Sequence, residues 1–356
     1  LTLTGRAKKE SRLAQVEVVD LREELRAGNR SIFSRRLQEL MEDRLGKGEQ
    51  IMLFLNRRGY SSFVSCRSCG EALSCPHCDV SLTLHWNGRL KCHYCGYEIL
   101  MPERCPSCGS PYIAGFGTGT QRIEEMTRKM FPGARVLRMD MDTTSKKGGH
   151  EEILSAFGDG EADILIGTQM IVKGHDFPKV TLVGVLAADL SLHAPDYACG
   201  ERTFQILTQA AGRAGRGADA GNVVIQTYMP EHYSIRTAAR QDYEGFYREE
   251  MAYRRMLHYP PALGLLTIQA ASQKEETLSQ AAEKMRRAAE QAGDKETGLF
   301  AQGLEITGPV EAPVYKVNDI YRKILYIKHE NYGILLRIRK EIEALELPVM
   351  LSFDLQ

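Results

Sequence analysis

Four Cys-x-x-Cys pairs lie between residues 66 and 108: Cys66/Cys69, Cys75/Cys78, Cys92/Cys95 and Cys105/Cys108. Each pair can present two sulfurs from one tight turn, and Gly70, Pro76, Gly96, Pro106 and Gly109 supply turn residues in or beside them. Eight thiols at this spacing are what two tetrahedral Cys₄ zinc sites require. A disulfide framework would use the same cysteines but needs an oxidising compartment. The chain opens LTLTGRAKKE, without the apolar core of a secretory signal, so zinc is the preferred reading. Cys199 lies far off in sequence and reads as a small buried residue rather than a ligand.

The segment between the second and third pairs tells how the ligands combine. In DVSLTLHWNGRLK, Val80, Leu82, Leu84 and Trp86 alternate with Ser81, Thr83 and His85, and Asn87-Gly88 is a strong hairpin-turn signal. A hairpin brings its flanking pairs together. Cys75, Cys78, Cys92 and Cys95 are therefore expected to form an inner site, a zinc ribbon, and Cys66, Cys69, Cys105 and Cys108 an outer site. His77, His85 and His93 could substitute as ligands, but with eight cysteines at hand they are expected to face solvent or support the ligands.

Two further segments carry chemistry. In ILIGTQMIVKGHDFPKVTLV a buried strand runs into a loop with Thr168, Gly174 and Asp176. A hydroxyl just past a strand's C-terminal end can hold a phosphate, and a Gly-x-Asp turn can lay a carboxylate against a ribose or a catalytic partner. Taken alone, Gly-His-Asp-Phe-Pro also reads as an ordinary turn. In QAAGRAGRG, after the helical stretch ERTFQILT, Gln209, Arg213 and Arg216 sit among glycines and alanines. Two arginines three residues apart share one helical face. Their permanent charge can neutralise a transferring γ-phosphate, the arginine-finger role, whereas the plainer reading is a solvated basic helix end.

These residues must be positioned by a scaffold, and the first ~230 residues alternate strands with helices in the manner of a covered parallel sheet. Short β-rich runs occur at 51–55, 135–139, 163–167, 180–186 and 222–227, with helical patterns at 34–45 and 122–130. The cysteine pairs interrupt this order after its first such strand. From His258-Tyr259-Pro260-Pro261 onward the order becomes β-α-β-β-α-β: strands at 265–271, 304–306, 323–327 and 349–353, helices at 276–290 and 332–345. That order implies a small ferredoxin-like α+β domain. Lys316, Arg322 and Lys323 in it read as solvated. The expected division is an α/β lobe at 1–234, interrupted by a binuclear zinc-binding insert at 62–112, and a C-terminal α+β domain at 235–356.

The chain has 356 residues, with 46 Lys+Arg against 46 Asp+Glu, so its net charge offers no footprint of nucleic-acid binding; DNA contact would need local basic patches. It contains no stretch of ~20 apolar residues that could span a membrane. Its first residue is Leu rather than Met, which suggests a piece of a longer chain.

The two chemical segments resemble motifs V and VI of superfamily 2 helicases, and FLNRRGYS at Phe54 to Ser61 resembles motif IV. Four Cys-x-x-Cys pairs directly after FLNRRGYSSFVS narrow the resemblance to the primosomal, replication-restart branch, and it covers essentially the whole chain. GTGTQRIEEM at Gly117 to Met126, the run from Ala187 to Arg216, and YPPALGLLTI at Tyr259 to Ile268 also match. The resemblance implies a second RecA-like helicase lobe of an ATP-dependent 3′→5′ DNA helicase that restarts stalled forks and assembles the primosome. It implies that Gly174, Asp176, Gln209, Arg213 and Arg216 face the nucleotide and that Asn56, Arg57, Arg58 and Thr168 meet the DNA strand. It further implies two Zn²⁺, with ATP and Mg²⁺ in the intact protein. The implied partners are forked and single-stranded DNA, primosome and helicase-loader proteins and single-stranded-DNA-binding protein, for a monomer in the bacterial cytoplasm, at forks in the nucleoid.

Two departures matter. No G-x-x-x-x-G-K-[ST] loop and no acidic Walker B box occur in these residues, and GFGTGTQ at Gly115 to Gln121 lacks the phosphate-gripping lysine, so these residues alone are expected to be inactive as an ATPase. Tyr197 and Cys199 stand where the family pattern has Phe-Arg-Ala. The rival reading is a zinc-ribbon docking module without catalysis, for which the paired arginines would have no use. A repair helicase of a neighbouring branch is disfavoured by the position of the cysteine insert.

Overall fold

A computed structural model describes residues 14–55, 64–77, 81–85, 87–93, 95–115, 119–140, 143–144, 148–172, 177–194, 196–214, 221–294 and 303–356. The chain divides into two compact units: residues up to Leu73 with Pro102–Phe246, and Ser74–Met101 with Tyr247–Gln356.

The first unit is built on six parallel strands, in the order Gln15–Asp20, Asn222–Thr227, Val180–Leu186, Gln50–Leu55, Ile164–Gly167 and Val136–Met139. Adjacent strands lie in close register, Val185 beside Phe54 and Leu53 beside Ile166. Successive side chains point to opposite faces, and both faces are buried, which is why these runs are apolar at nearly every position. Met52, Phe54, Leu165, Val183 and Ile225 pack on one face, with Leu154, Phe157, Phe204 and Leu207 from helices Gly149–Asp159 and Cys199–Ala211. Ile51, Leu53, Ile166, Leu182 and Val224 pack on the other, with Leu37, Met41 and Ile123 from helices Arg35–Gly46 and Thr120–Met130. The edge strand QVEVVD has no long apolar run to announce it in sequence.

Parallel strands bring all their C-terminal ends to one edge, and there Gly167 closes the strand Ile164–Gly167. A Cβ at this position would stand 2.5 Å from Ile171 Cγ2 and 2.7 Å from the Met139 carbonyl oxygen. Gly167→Ala is expected to destabilise the unit by about 1–3 kcal/mol, the usual cost of overpacking against a backbone that cannot yield. A urea midpoint equal to that of the parent would contradict this.

The second unit contains Gly264–Ser272, helix Glu275–Asp294, Glu305–Val317, Ile320–His329, helix Tyr332–Glu343 and Met350–Leu355. Its sheet order is 305–317, 320–329, 264–272, 350–355, antiparallel throughout, as a ferredoxin-like domain requires. Leu278, Met285, Ile334, Ile338 and Ile342 bury the two helices on one face. The strand expected at 304–306 runs on to Val317 because Asn318 and Asp319 both take positive φ, 50° and 58°, and close a long hairpin. No helix among the described residues is long and apolar enough to cross a membrane.

The middle of the cysteine-rich segment belongs to this second unit. Strands Thr83–Leu84, Arg89–Lys91 and Glu98–Leu100 form a small antiparallel sheet, with Leu82 and Leu90 buried beneath it. Gly96 lies 3.7 Å from Val310 Cγ1 at its Cβ position, and Lys91 pairs with Glu311, so the ribbon rests against the strand Glu305–Val317.

Candidate metal centres and helicase edge

Three of the four Cys-x-x-Cys turns share one backbone design. The N–H of Gly70, Gly96 and Gly109 donates to the carbonyl of Cys66, Cys92 and Cys105 at 2.8–3.0 Å, and each first cysteine's N–H donates to the residue after the glycine. All three glycines take positive φ, 84°, 80° and 70°, a conformation that side chains resist. The glycine, more than the intervening residues, makes the turn present both sulfurs on one side. The second pair has Pro76-His77 and no such glycine, and its Cys78 lies outside the described residues.

The sulfurs of Cys66, Cys69, Cys105 and Cys108 lie within 4.8 Å of one another, as do those of Cys75, Cys92 and Cys95. Sulfur separations are 3.7 Å for Cys66–Cys108 and Cys69–Cys105, and 3.5 Å for Cys75–Cys95. A tetrahedral zinc with bonds of ~2.3 Å sets sulfurs ~3.8 Å apart, so both clusters are nearly the right size for it. Around the outer cluster, burial would raise the Cys66 thiol, but the N–H groups of Cys69 and Ser68 bring it down to about 7. Burial pushes Cys69, and Cys75 in the inner cluster, up to about 12. No histidine joins either cluster among the described residues. His85 and His93 face each other, Nε2 to Nε2 at 3.2 Å, and His77 stands edge-on to Tyr97. His93 is buried, not solvent-facing, and burial followed by the neighbouring His85 drives its pKa down to about 4.

At the sheet's C-terminal edge, Thr168 follows Ile164–Gly167 directly and is half-buried, its carbonyl accepting from Ile171. Gln209 is exposed on the last turn of helix Cys199–Ala211, and Arg213 follows that helix, half-buried, its N–H donating to Ala210 at 3.0 Å. Asn56, Arg57, Arg58, Gly174, Asp176 and Arg216 lie outside the described residues. Cys199 opens the helix and is half-buried, not the buried residue expected: the first turn of a helix entering from a loop keeps one side open.

Two carboxylates at this edge escape a reading by motif. Asp140, just past Val136–Met139, accepts from Thr120 Oγ1 at 2.5 Å and the Thr143 N–H at 3.0 Å. Asp189, beyond Val180–Leu186, accepts from Thr227, Tyr228 and Met229. Asp140 is signalled in sequence only by its place just past an apolar strand; Asp189 falls in the run from Ala187 to Arg216, where the resemblance implied no role for it.

A doubly covered parallel sheet with a helix leading into Arg213 at its C-terminal edge, joined to paired cysteine clusters, defines the second RecA-like lobe of a helicase with a zinc-binding ribbon. Residues 113–218 match the helicase conserved C-terminal domain, residues 75–99 the PriA DNA helicase Cys-rich region, and residues 255–349 the primosomal protein N C-terminal domain. The chain is 50% identical to replication restart protein PriA of Bacillus subtilis (strain 168) over 350 residues, 96% of this chain and 43% of that protein. The corresponding protein of Synechocystis sp. is 45% identical over 90% of this chain and 38% of its own length. The chain belongs to the PriA family of replication restart proteins, and it spans less than half the length of these relatives.

Proposed function

We propose that these residues form the C-terminal half of an ATP-dependent 3′→5′ DNA helicase that restarts stalled replication forks and assembles the primosome. The observation that carries this reading is the joint presence of a helicase C-terminal lobe with the cysteine-rich and C-terminal domains of one family. In it, Arg213 and Arg216 stabilise charge on the transferring γ-phosphate, Gln209 orients the nucleotide's reacting end, and Gly174 and Asp176 contact the nucleotide. Asn56, Arg57, Arg58 and Thr168 contact the DNA strand. Cys66, Cys69, Cys105 and Cys108 hold one Zn²⁺, and Cys75, Cys78, Cys92 and Cys95 the other. With all four positions of each ion filled by sulfur, both ions are structural and supply no open site for chemistry. The partners are forked and single-stranded DNA, helicase-loader and primosome proteins and single-stranded-DNA-binding protein, in the bacterial cytoplasm; the protein acts as a monomer. The division at 1–234, 62–112 and 235–356 is retained for the functional parts.

Phosphoryl transfer needs a phosphate cradle, a lysine and a Mg²⁺-holding hydroxyl and carboxylate, and these 356 residues contain neither the Walker A loop nor the acidic Walker B box that provide them. On their own they are expected to fold, bind zinc and turn over no ATP, with or without single-stranded DNA. The test is a steady-state ATPase assay; hydrolysis that co-purifies with this chain and is stimulated by DNA would overturn the assignment of a half-motor. A docking module without catalysis would also be silent there, so the two readings separate in the intact protein, through its arginines.

A further inference from the structure

Neither the motor nor the zinc reading uses Asp189, although the residue is only 5% exposed. Withdrawing a carboxylate from water costs several kcal/mol unless hydrogen bonds replace the lost hydration. Here Oδ1 accepts from the Thr227 hydroxyl at 2.5 Å and the Met229 N–H at 3.1 Å, while Oδ2 accepts from the Tyr228 N–H at 2.9 Å. Asp189 opens the short helix Asp189–Leu192 beyond one strand, and all three donors belong to the end of the neighbouring strand or the turn after it. It thus fixes the backbone at 227–229.

That backbone is also where the outer Cys-x-x-Cys turn sits. A Cβ on Gly70 would stand 2.3 Å from the Tyr228 carbonyl oxygen and 3.2 Å from its carbon, so the turn and Tyr228 touch backbone to backbone. Gly70 is the residue whose N–H closes the turn on Cys66. A second anchor holds the other end: Arg22, fixed by Asp20 at 2.8 Å, reaches the Cys69 carbonyl at 3.4 Å.

We propose that Asp189 is a positioning residue for the outer zinc site, holding the Tyr228–Met229 backbone as the seat on which the Cys66–Gly70 turn rests. The inference rests on the reading of Cys66, Cys69, Cys105 and Cys108 as zinc ligands. It ties the outer zinc to the same sheet edge that carries Thr168 and leads into the helix of Gln209, so that the metal's grip is set partly from the motor's side. The inner ion, whose ribbon belongs to the other unit, has no such dependence.

Zinc release from the whole 356-residue chain to a chromophoric chelator would show it, read as two separate ions. Asp189→Asn keeps the shape but turns an amide N–H toward a backbone N–H, and should release one zinc about tenfold or more faster while the second keeps its parental rate. Thr227→Ser, which retains the hydroxyl donor, should release both at parental rates. Adding Cys66→Ser, which dismantles the outer site, should abolish the fast phase. Unchanged release of both ions in Asp189→Asn, or equal acceleration of both, would overturn the proposal. A reciprocal measurement avoids any change at Asp189: chelating the outer zinc should speed hydrogen exchange at the Tyr228 and Met229 amides about tenfold, and unaltered exchange there would equally overturn it. The zinc content of the unmutated chain tests the ligand reading separately.

Discussion

Arg213→Ala in the intact protein is expected to lower DNA-stimulated ATP turnover by ~10³ or more while leaving its thermal midpoint almost unchanged, because a finger arginine acts on charge that exists only in the transition state. The local packing bears on the stability half of this expectation. The turn that carries Arg213 is anchored by its neighbours, Ala210, Ala211 and Ala214, which are 0–4% exposed. Arg213 itself is half-buried, so its truncation leaves that alanine packing in place. Arg213→Lys should recover only a small part of the rate, since an ammonium lacks the planar fork that grips two phosphate oxygens. Arg216→Ala carries the same expectation from the Gln-x-x-Gly-Arg-x-Gly-Arg spacing. Forks unwound at the parental rate by either alanine variant would return that arginine to the role of a solvated helix end.

How much of this was legible in the sequence depended on which physical constraint left a mark there. Burial on both faces left apolar runs, so Gln50–Leu55, Val180–Leu186 and Asn222–Thr227 stand almost where periodicity puts them. The half-exposed edge strand Gln15–Asp20 alternates with charges and passed unseen. The Asn87-Gly88 hairpin was readable, with Gly88 at φ 75° and its N–H on the His85 carbonyl, but its third strand, Glu98–Leu100, has only three residues, too few for a periodicity to show. Long-range contacts were the least readable. Nothing in the local sequence says that Gly96 will meet Val310, or that Gly70 will lie on Tyr228, because each glycine is already explained by its turn. The same holds for Asp189: its donors lie some forty residues on, and only the parallel sheet brings them together.

Removing zinc is expected to unfold the cysteine-rich segment while the parallel sheet of the first unit stays folded. The sheet has two extensive apolar layers, whereas the ribbon buries few large side chains, Leu82 and Leu90 foremost, and cannot offset its own chain entropy without metal. Structural zinc contributes an apparent ~10–16 kcal/mol at neutral pH, as large as the whole stability of a typical domain. The sign of the pH effect follows from the thiols. Zinc takes thiolates, and without it burial holds Cys69 and Cys75 protonated, with pKa values pushed up to about 12, while Cys66 titrates near 7. Metal entry must therefore displace protons, so affinity falls as pH is lowered, and release of the outer ion to a chelator should accelerate more steeply once pH drops below about 7, where Cys66 also takes up a proton. Limited proteolysis of chelator-treated protein should cut within 64–115 and spare Val180–Leu186 and Asn222–Thr227. Elemental analysis of freshly purified, reduced protein should return two zinc ions per chain; one or none would sink the two-site assignment. Resistance of the metal-free segment to protease would show that the ribbon folds on its apolar contacts alone.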